Sequence, residues 1–465
     1  MSDDKYRVEH DSIGEKKLPK EANYGSQTLR AFENFSITGD RIDDEFVNNI
    51  VLVKKAAAIT NNHIGLLNDE LTHAMIKACD YILDGHHEDF IVDPIEGGAG
   101  TSLNMNANEV IANLAIAILG GEKGNYDLVN PYEHVNMAQS TNDVIPTAAK
   151  MTTIVYLNDL ENHLKRLSDT LLIKAKEFDD VIKMGRTQMQ DAVPIRLGQE
   201  FKAYATRFTK ASKRVDEAIL VMREVNIGGS AIGTSINVSE DYLKEIVPNI
   251  NSLSGLDLYQ ASDLIESTSG LDDFVIVSGV LKSIATALSK MAGDLMLMSS
   301  GPRTGFHEIN LPAKQHGSSI MPGKINPVIP EVVNQVAFDV IGKDMTIALA
   351  AHAGQLELNA FAPIAYYSLF QSIKRMNNAI DTLIDNCLID ITANKERCFD
   401  EVGESLGVVT ILAPILGYEK ASMMVKKALK EERPIKEIIL QEHPMSEEEL
   451  DELLNPLKMT EIGRK

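Results

Sequence analysis

Residues 157–171 read LNDLENHLKRLSDTL, and in them Leu157, Leu160, Leu164, Leu167 and Leu171 step by three, four, three and four. On a 3.6-residue helix that spacing lines the leucines along one side, so it predicts the seam of a long helix packed on other helices. Ile284, Leu288, Met291 and Leu295 repeat the pattern, and the segments from Pro327 to about His352 and from Pro363 to Ile391 are long and helix-compatible. Asp44 to Leu83 reads as helix interrupted near Gly65, whereas Lys5 to about Phe35 reads as polar and irregular, and strand signals are scarce. The expected fold class is mainly α, organised around a central bundle of long helices. Changes of pattern divide the chain into 1–141, 142–393 and a tail of short helices over 394–465, one opened by Ser446 with Glu449 three residues on, a capping box. Apolar seams on helices of about thirty residues seek partners beyond their own chain, so a homo-oligomer is expected.

The composition, 44% hydrophobic and 24% charged over 465 residues, is that of a globular protein with a sizeable core. A formal net charge of −22 argues against nucleic acid and anionic membrane as partners. An anionic substrate would need positive potential built locally from helix N-termini, backbone N–H groups and a few cations. Cys79, Cys387 and Cys398 are odd in number and lack CxxC spacing, which fits a reducing compartment and an expected cytoplasmic location. No apolar run resembles a signal peptide, and stretches such as Val110 to Leu119 are too short to cross a bilayer.

Polar, glycine-containing clusters interrupt the helical pattern at Gly97–Asn104 (GGAGTSLN), Asn136–Asp143 (NMAQSTND), Gly185–Asp191 (GRTQMQD) and Gly317–Pro327 (GSSIMPGKINP). Ser, Thr and Asn ahead of a helix are commonly no more than N-caps. Together, however, N–H groups and hydroxyls from several helix ends, with Lys324 as a full charge, have the chemistry of a carboxylate pocket. There is no HExxH, paired CxxC, calcium-spaced acidic loop, GxxxxGK[ST] order or GxSxG elbow, so neither a metal nor an obligatory cofactor is expected. His134 and His316 are read as background.

GSSIMPGKINP resembles the signature loop GSSxMPxKxNP of the fumarase/aspartase superfamily, and the resemblance runs nearly end to end, from Tyr24-Gly25-Ser26-Gln27-Thr28 to the C-terminal domain. Within the superfamily, GGAGTSLNMNANEVIAN (Gly97–Asn113), QSTND (Gln139–Asp143) and GRTQMQDAVP (Gly185–Pro194) resemble the wording of the aspartate ammonia-lyases. Fumarases typically carry Ser at the place of Thr141 and His at the place of Gln188. The resemblance implies a three-domain fold whose central helices join in a homotetramer, with active sites assembled from loops of three chains.

It also implies the reversible deamination of L-aspartate to fumarate and ammonia. Ser318 would take the proton from carbon 3, and the intermediate would gather a second negative charge on the adjacent carboxylate. Thr101, Ser140, Thr141 and Ser319 match the positions that stabilise that charge; Thr187, Lys324 and Asn326 match those that hold the other carboxylate; Asn142 and Gln188 would face the amino group. A serine hydroxyl is a poor base unless several N–H dipoles converge on its oxygen, and Gly317 and Gly323 would let the backbone do this. Fumarate hydration, a lyase for substituted aspartates and a non-catalytic scaffold of the same fold are the alternatives. Three departures from the usual wording bear on substrate choice: Leu358–Pro363 (LNAFAP for LNVMEP), Gly233–Asn237 (GTSIN for GTGLN) and His316. Phe361 and Ala362 are expected to repack the helix behind them rather than to reshape the pocket.

Overall fold

A computed structural model describes residues 5–461 and 463. The chain opens with an antiparallel hairpin of β1 (Tyr6–Asp11) and β2 (Gly14–Pro19), followed by α1 (Ser26–Asn34). Here the structure differs from the irregular segment expected. Its alternating apolar residues Tyr6 and Val8 face solvent, and charged side chains secure it: Arg7 donates to the carbonyls of Pro19, Lys20, Ala22 and Tyr24 while pairing with Glu9, and Asp11 accepts from the N–H groups of Ile13 and Gly14. A polar clasp of that kind leaves no periodic trace in sequence.

Next come α2 (Asp44–His63) and α3 (Asp69–Leu83), broken where expected, with Gly65 at φ +79° between them. Asp43 and Asn68 cap the two helices by accepting from backbone N–H groups of their first turns. After α4 (Thr101–Ile118) runs α5 (Thr141–Glu177), 37 residues long, in which all five seam leucines are fully buried. An antiparallel pair, β3 (Ile182–Thr187) and β4 (Gln190–Arg196), leads into α6 (Leu197–Met222). Then follow β5 (Glu224–Val225), α7 (Glu240–Ser254), β6 (Tyr259–Gln260), α8 (Leu264–Ser269), α9 (Asp272–Met298), β7 (Ile309–Asn310), α10 (Val328–His352), α11 (Ala362–Asn386) and β8 (Thr392–Ala393). Short helices close the chain: α12 (Lys395–Glu404), α13 (Ala413–Leu416), α14 (Tyr418–Glu431), α15 (Ile435–Glu442), α16 (Glu447–Leu453) and α17 (Pro456–Met459). The fold is mainly α, and every sheet among the described residues is a two-stranded pair.

Contacts group the chain into two compact units, each made of three separate segments. The first comprises residues up to Glu161, Arg214–Ser283 and Asp339–Arg375. In it the edge-on rings of Phe46, Tyr366 and Phe370 join α2 to α11, and Lys150 reaches from α5 to Asp273 of α9. The second comprises Asn162–Lys213, Ile284–Phe338 and residues from Met376 onward. There His163 and Arg166 of α5 pair with Asp381 of α11, and Tyr204 of α6 donates to Asp294 of α9 at 2.6 Å. Its last helices enclose a core of Val402, Leu412, Met424, Ile438, Ile439 and Leu450, and Ser446 and Glu449 complete both bonds of the expected capping box.

Among the described residues one helix, α9, is long and apolar enough in length and composition to cross a membrane. Lys282, Lys290 and Asp294 interrupt its run in sequence, while Ile284, Leu288, Met291 and Leu295 are buried in the protein interior. An inward apolar face of that kind is what a bundle helix requires.

Candidate active site

The turn that opens α5 carries Ser140, Thr141 and Asn142. Ser140 Oγ accepts from Asn142 N at 3.2 Å, and Asp143 Oδ1 accepts from Ser140 N at 2.9 Å, a reciprocal closure of the helix start. The second oxygen of Asp143 accepts from Gly228 N at 3.1 Å and Ser230 N at 2.9 Å, and Asn142 Nδ2 donates to Ala231 O at 2.8 Å. Residues 228–231 are thereby pinned beneath the turn. Burial pushes the Asp143 carboxyl up to about 6, against the pull of the Ser140 and Ser230 N–H groups and of Lys54. Burial pulls Lys54 down to about 7, opposed by the Asp143 charge. Lys54 Nζ donates to Asn136 Oδ1 at 2.9 Å, and Asn136 Nδ2 donates to Gln139 O at 3.1 Å, so a fully buried lysine supports the same turn from below.

Thr101 opens α4 and is exposed, after Gly98, Ala99 and Gly100, all at positive φ. A Cβ at Gly100 would lie 2.9 Å from Cγ2 of Ile145, so glycine lets the start of α4 approach the first turns of α5. Burial pushes Glu96, beside this helix start, up to about 7, while hydrogen bonds from Ser102 and the Leu103 N–H oppose the shift.

Thr187 and Gln188 lie at the tip of the β3–β4 hairpin and are exposed. The turn residues Gln188 and Met189 have φ of +53° and +65°, the geometry of a two-residue turn that ordinarily takes Asn and Gly. Neither has the short side chain that tolerates this region, so the tip is strained.

In the Gly317–Pro327 loop, Ser318 Oγ accepts from Ile320 N at 3.2 Å and Met321 N at 3.1 Å. Two N–H dipoles therefore converge on the oxygen, as a serine base requires. The loop is closed at its foot by Gly317 N donating to Lys324 O at 2.8 Å and Asn326 Nδ2 donating to Gly317 O at 2.7 Å. Gly323, at φ +80°, turns the chain between them. Ser319 and Lys324 are exposed. Among the described residues no hydrogen bond joins this loop to the hairpin tip of the same chain. No group of three or more His, Cys, Asp or Glu side chains among the described residues is arranged to hold a metal ion.

The lyase family matches residues 14–342, and the C-terminal part of fumarase C matches residues 408–461. Aspartate ammonia-lyase of Bacillus subtilis strain 168 is 49% identical over 459 residues, 98% of this chain and 97% of that protein. The chain belongs to the fumarase/aspartase family of lyases. Aspartate ammonia-lyase of Helicobacter pylori strain 26695 is a further family member, 50% identical over 456 residues, 97% of each chain. Among solved structures, fumarate lyase:delta crystallin from Brucella melitensis bound to cobalt is 45% identical, with a TM-score of 0.95 over 98% of this chain and 100% of that one. Class II fumarase from Schistosoma mansoni, at 32% identity, has a TM-score of 0.94 over 99% of this chain and 100% of that one.

Within this family fold, Ser140, Thr141 and Asn142 share one turn, with Thr101 on the adjoining helix start. Ser318, Ser319, Lys324 and Asn326 share one loop, and Thr187 and Gln188 one hairpin tip. Sequence reading missed the supports behind them. Asp143 was legible as the acid three residues after Ser140, and Lys54 as a cation inside the apolar run Val51–Thr60. Of the departures, Ser235 sits at φ +55°, where the family's usual glycine would be unstrained. Ala362 is buried, whereas Phe361 is 45% exposed on the single chain. The buried residue of that segment is Asn359, whose Nδ2 donates to Ala350 O and Ala351 O at the end of α10.

Proposed function

We propose that the protein is a carbon–nitrogen lyase that reversibly removes ammonia from L-aspartate to give fumarate. The observation that carries the mechanism is the pair of N–H groups aimed at Ser318 Oγ within the signature loop. They stabilise the alkoxide that takes a proton from carbon 3 of the substrate. The electrons left behind move into the adjacent carboxylate as an aci-carboxylate, and their return expels the amine. Hydroxyls of Thr101, Ser140, Thr141 and Ser319 bind the doubly charged carboxylate, each such donor being worth about 2.7 to 4 kcal/mol in the transition state. Lys324, Asn326 and Thr187 hold the second carboxylate. Asn326 has an N–H left for substrate after serving Gly317, since an amide carries two. Asn142 and Gln188 meet the amino group. Gln188 offers no group that titrates near neutrality, and Thr141 adds a methyl to the pocket wall, which together favour ammonia over water.

The assembly proposed is a homotetramer with sites shared between subunits and residues 142–393 as its bundle. On α10 the apolar residues Val332, Phe338, Ile341, Met345 and Leu349 are exposed on the single chain, Phe338 by 62% and Leu349 by 60%. Four of them, from Phe338 on, step by three, four and four, a stripe that suits a second copy of the same helix. Three buried, unpaired cysteines suit the reducing cytoplasm. Incubation with L-aspartate and, separately, with L-malate tests the chemistry by the ultraviolet absorbance of fumarate. Aspartate is expected to give fumarate faster; a faster release from malate would establish a hydratase.

A further inference from the structure

Arg186 precedes Thr187 directly and has no part in the chemistry above. Its guanidinium donates to Glu308 Oε1 at 2.5 Å and to Glu401 Oε2 at 2.9 Å, and lies 4.3 Å from the ring centre of Phe306. Lys183, also on β3, reaches Glu308 Oε2 at 2.9 Å and Glu200 Oε1 at 3.0 Å. Glu308 has no exposed surface. Burial opposes the Lys183 charge, but Glu200 and Glu308 outweigh it and the net shift is upward.

Residues three apart on a regular strand point to opposite faces, yet Lys183 and Arg186 converge on one carboxylate. The ladder is irregular between them. Met184 pairs with Pro194 but Arg186 pairs with Asp191, so β4 carries one extra residue opposite Gly185. A bulge adds local twist, and a Cβ at Gly185 would stand 2.7 Å from Val193 O, so only glycine fits there. A slip of one residue would send Thr187 to the other face and pull Arg186 off Glu308. The hairpin tip beyond is strained at both Gln188 and Met189, and strained turns persist where the structure beneath over-determines them.

We infer that Glu308 is a positioning residue for the reaction: through Lys183 and Arg186 it fixes the register and the strained turn that present Thr187 and Gln188 to substrate. The inference rests on the substrate-binding roles given to Thr187 and Gln188 above.

A double-mutant cycle on the full-length protein tests it. Glu308→Gln keeps the shape of the side chain and removes the charge. It is expected to lower kcat/KM for L-aspartate by about a hundredfold, the loss that a tip displaced by about 1 Å would bring, with an unchanged gel-filtration volume. In a background carrying both Thr187→Val and Gln188→Ala the same change is expected to cost less than about threefold, because the groups it positions are already gone. Multiplying losses would make Glu308 a general structural residue and overturn the inference while leaving the substrate reading intact. A fully active Thr187→Val protein would instead overturn the substrate reading, and the inference with it. Should Glu308→Gln fail to fold, Arg186→Lys, which keeps the cation and loses the fork, enters the same cycle with the same expectations.

Discussion

Replacing Gly317 by alanine puts the loop geometry to a quantitative test. The added methyl would stand 2.5 Å from Lys324 O and 2.9 Å from Asn326 N, both backbone atoms that no side-chain rotation can clear. Restoring ordinary contact requires the Lys324 carbonyl to retreat by about 0.9 Å. That carbonyl accepts the Gly317 N–H, and Asn326 Nδ2 donates to Gly317 O, so the same displacement strains both bonds at the foot of the loop. At about 0.5 to 1.5 kcal/mol each, their loss would loosen the loop without unfolding the exposed segment's surroundings. Ser318 and Lys324 adjoin the displaced atoms, and an error of about 1 Å in a reacting group costs about a hundredfold in turnover. Fumarate release from saturating L-aspartate, measured beside a thermal melt, is expected to fall by that factor while the melting temperature holds. An alanine variant within about threefold of the parent would refute the claim that this closure sets the base.

Lys324→Met is expected to weaken binding of a substrate-like dicarboxylate by about 1.5 to 3 kcal/mol, read by titration calorimetry; unchanged affinity would remove Lys324 from the carboxylate site. Hybrids reassembled from Ser318→Ala and Thr187→Val chains, each of low residual activity, are expected to regain part of the parent's activity, and no gain in verified hybrids would place each site within one chain. Lys54 supplies a pH signature, since burial lowers it from 10.5 to about 7. Between those values the unfolded chain holds a proton that the folded one has released, so stability rises with pH there, whereas below about 7 both states are charged and the full burial penalty remains. The unfolding free energy of the parent minus that of Lys54→Met should therefore climb by about 1.4 kcal/mol per pH unit from about pH 7 to 9 in denaturant titrations, and a flat difference would contradict the shift.

The long helices were legible because burying one apolar face forces a repeat on the sequence, and the seam leucines of α5 carry that repeat through five fully buried positions. The breaks at Gly65 and Ser446 were legible because turn and cap chemistry is local. The β1–β2 hairpin was not, since the charged side chains of Arg7, Glu9 and Asp11 secure it rather than an apolar face. Neither was the β3–β4 turn, whose Gln188 and Met189 occupy conformations their residue types disfavour. The polar clusters of the site showed in sequence as short side chains and glycines. What positions them did not, because Glu308 lies 122 residues from Arg186 and Gly228 lies 85 from Asp143, pairings that only the folded chain creates.

Turnover of L-aspartate by Ser318→Ala, compared with the parent at equal gel-filtration volume, bears most directly on the proposed mechanism. With the alkoxide gone and the loop otherwise closed, fumarate release is expected to fall by about 10² to 10⁴, the contribution of a positioned base. A variant that keeps its assembly and releases fumarate at a rate comparable to the parent would show that another group takes the proton.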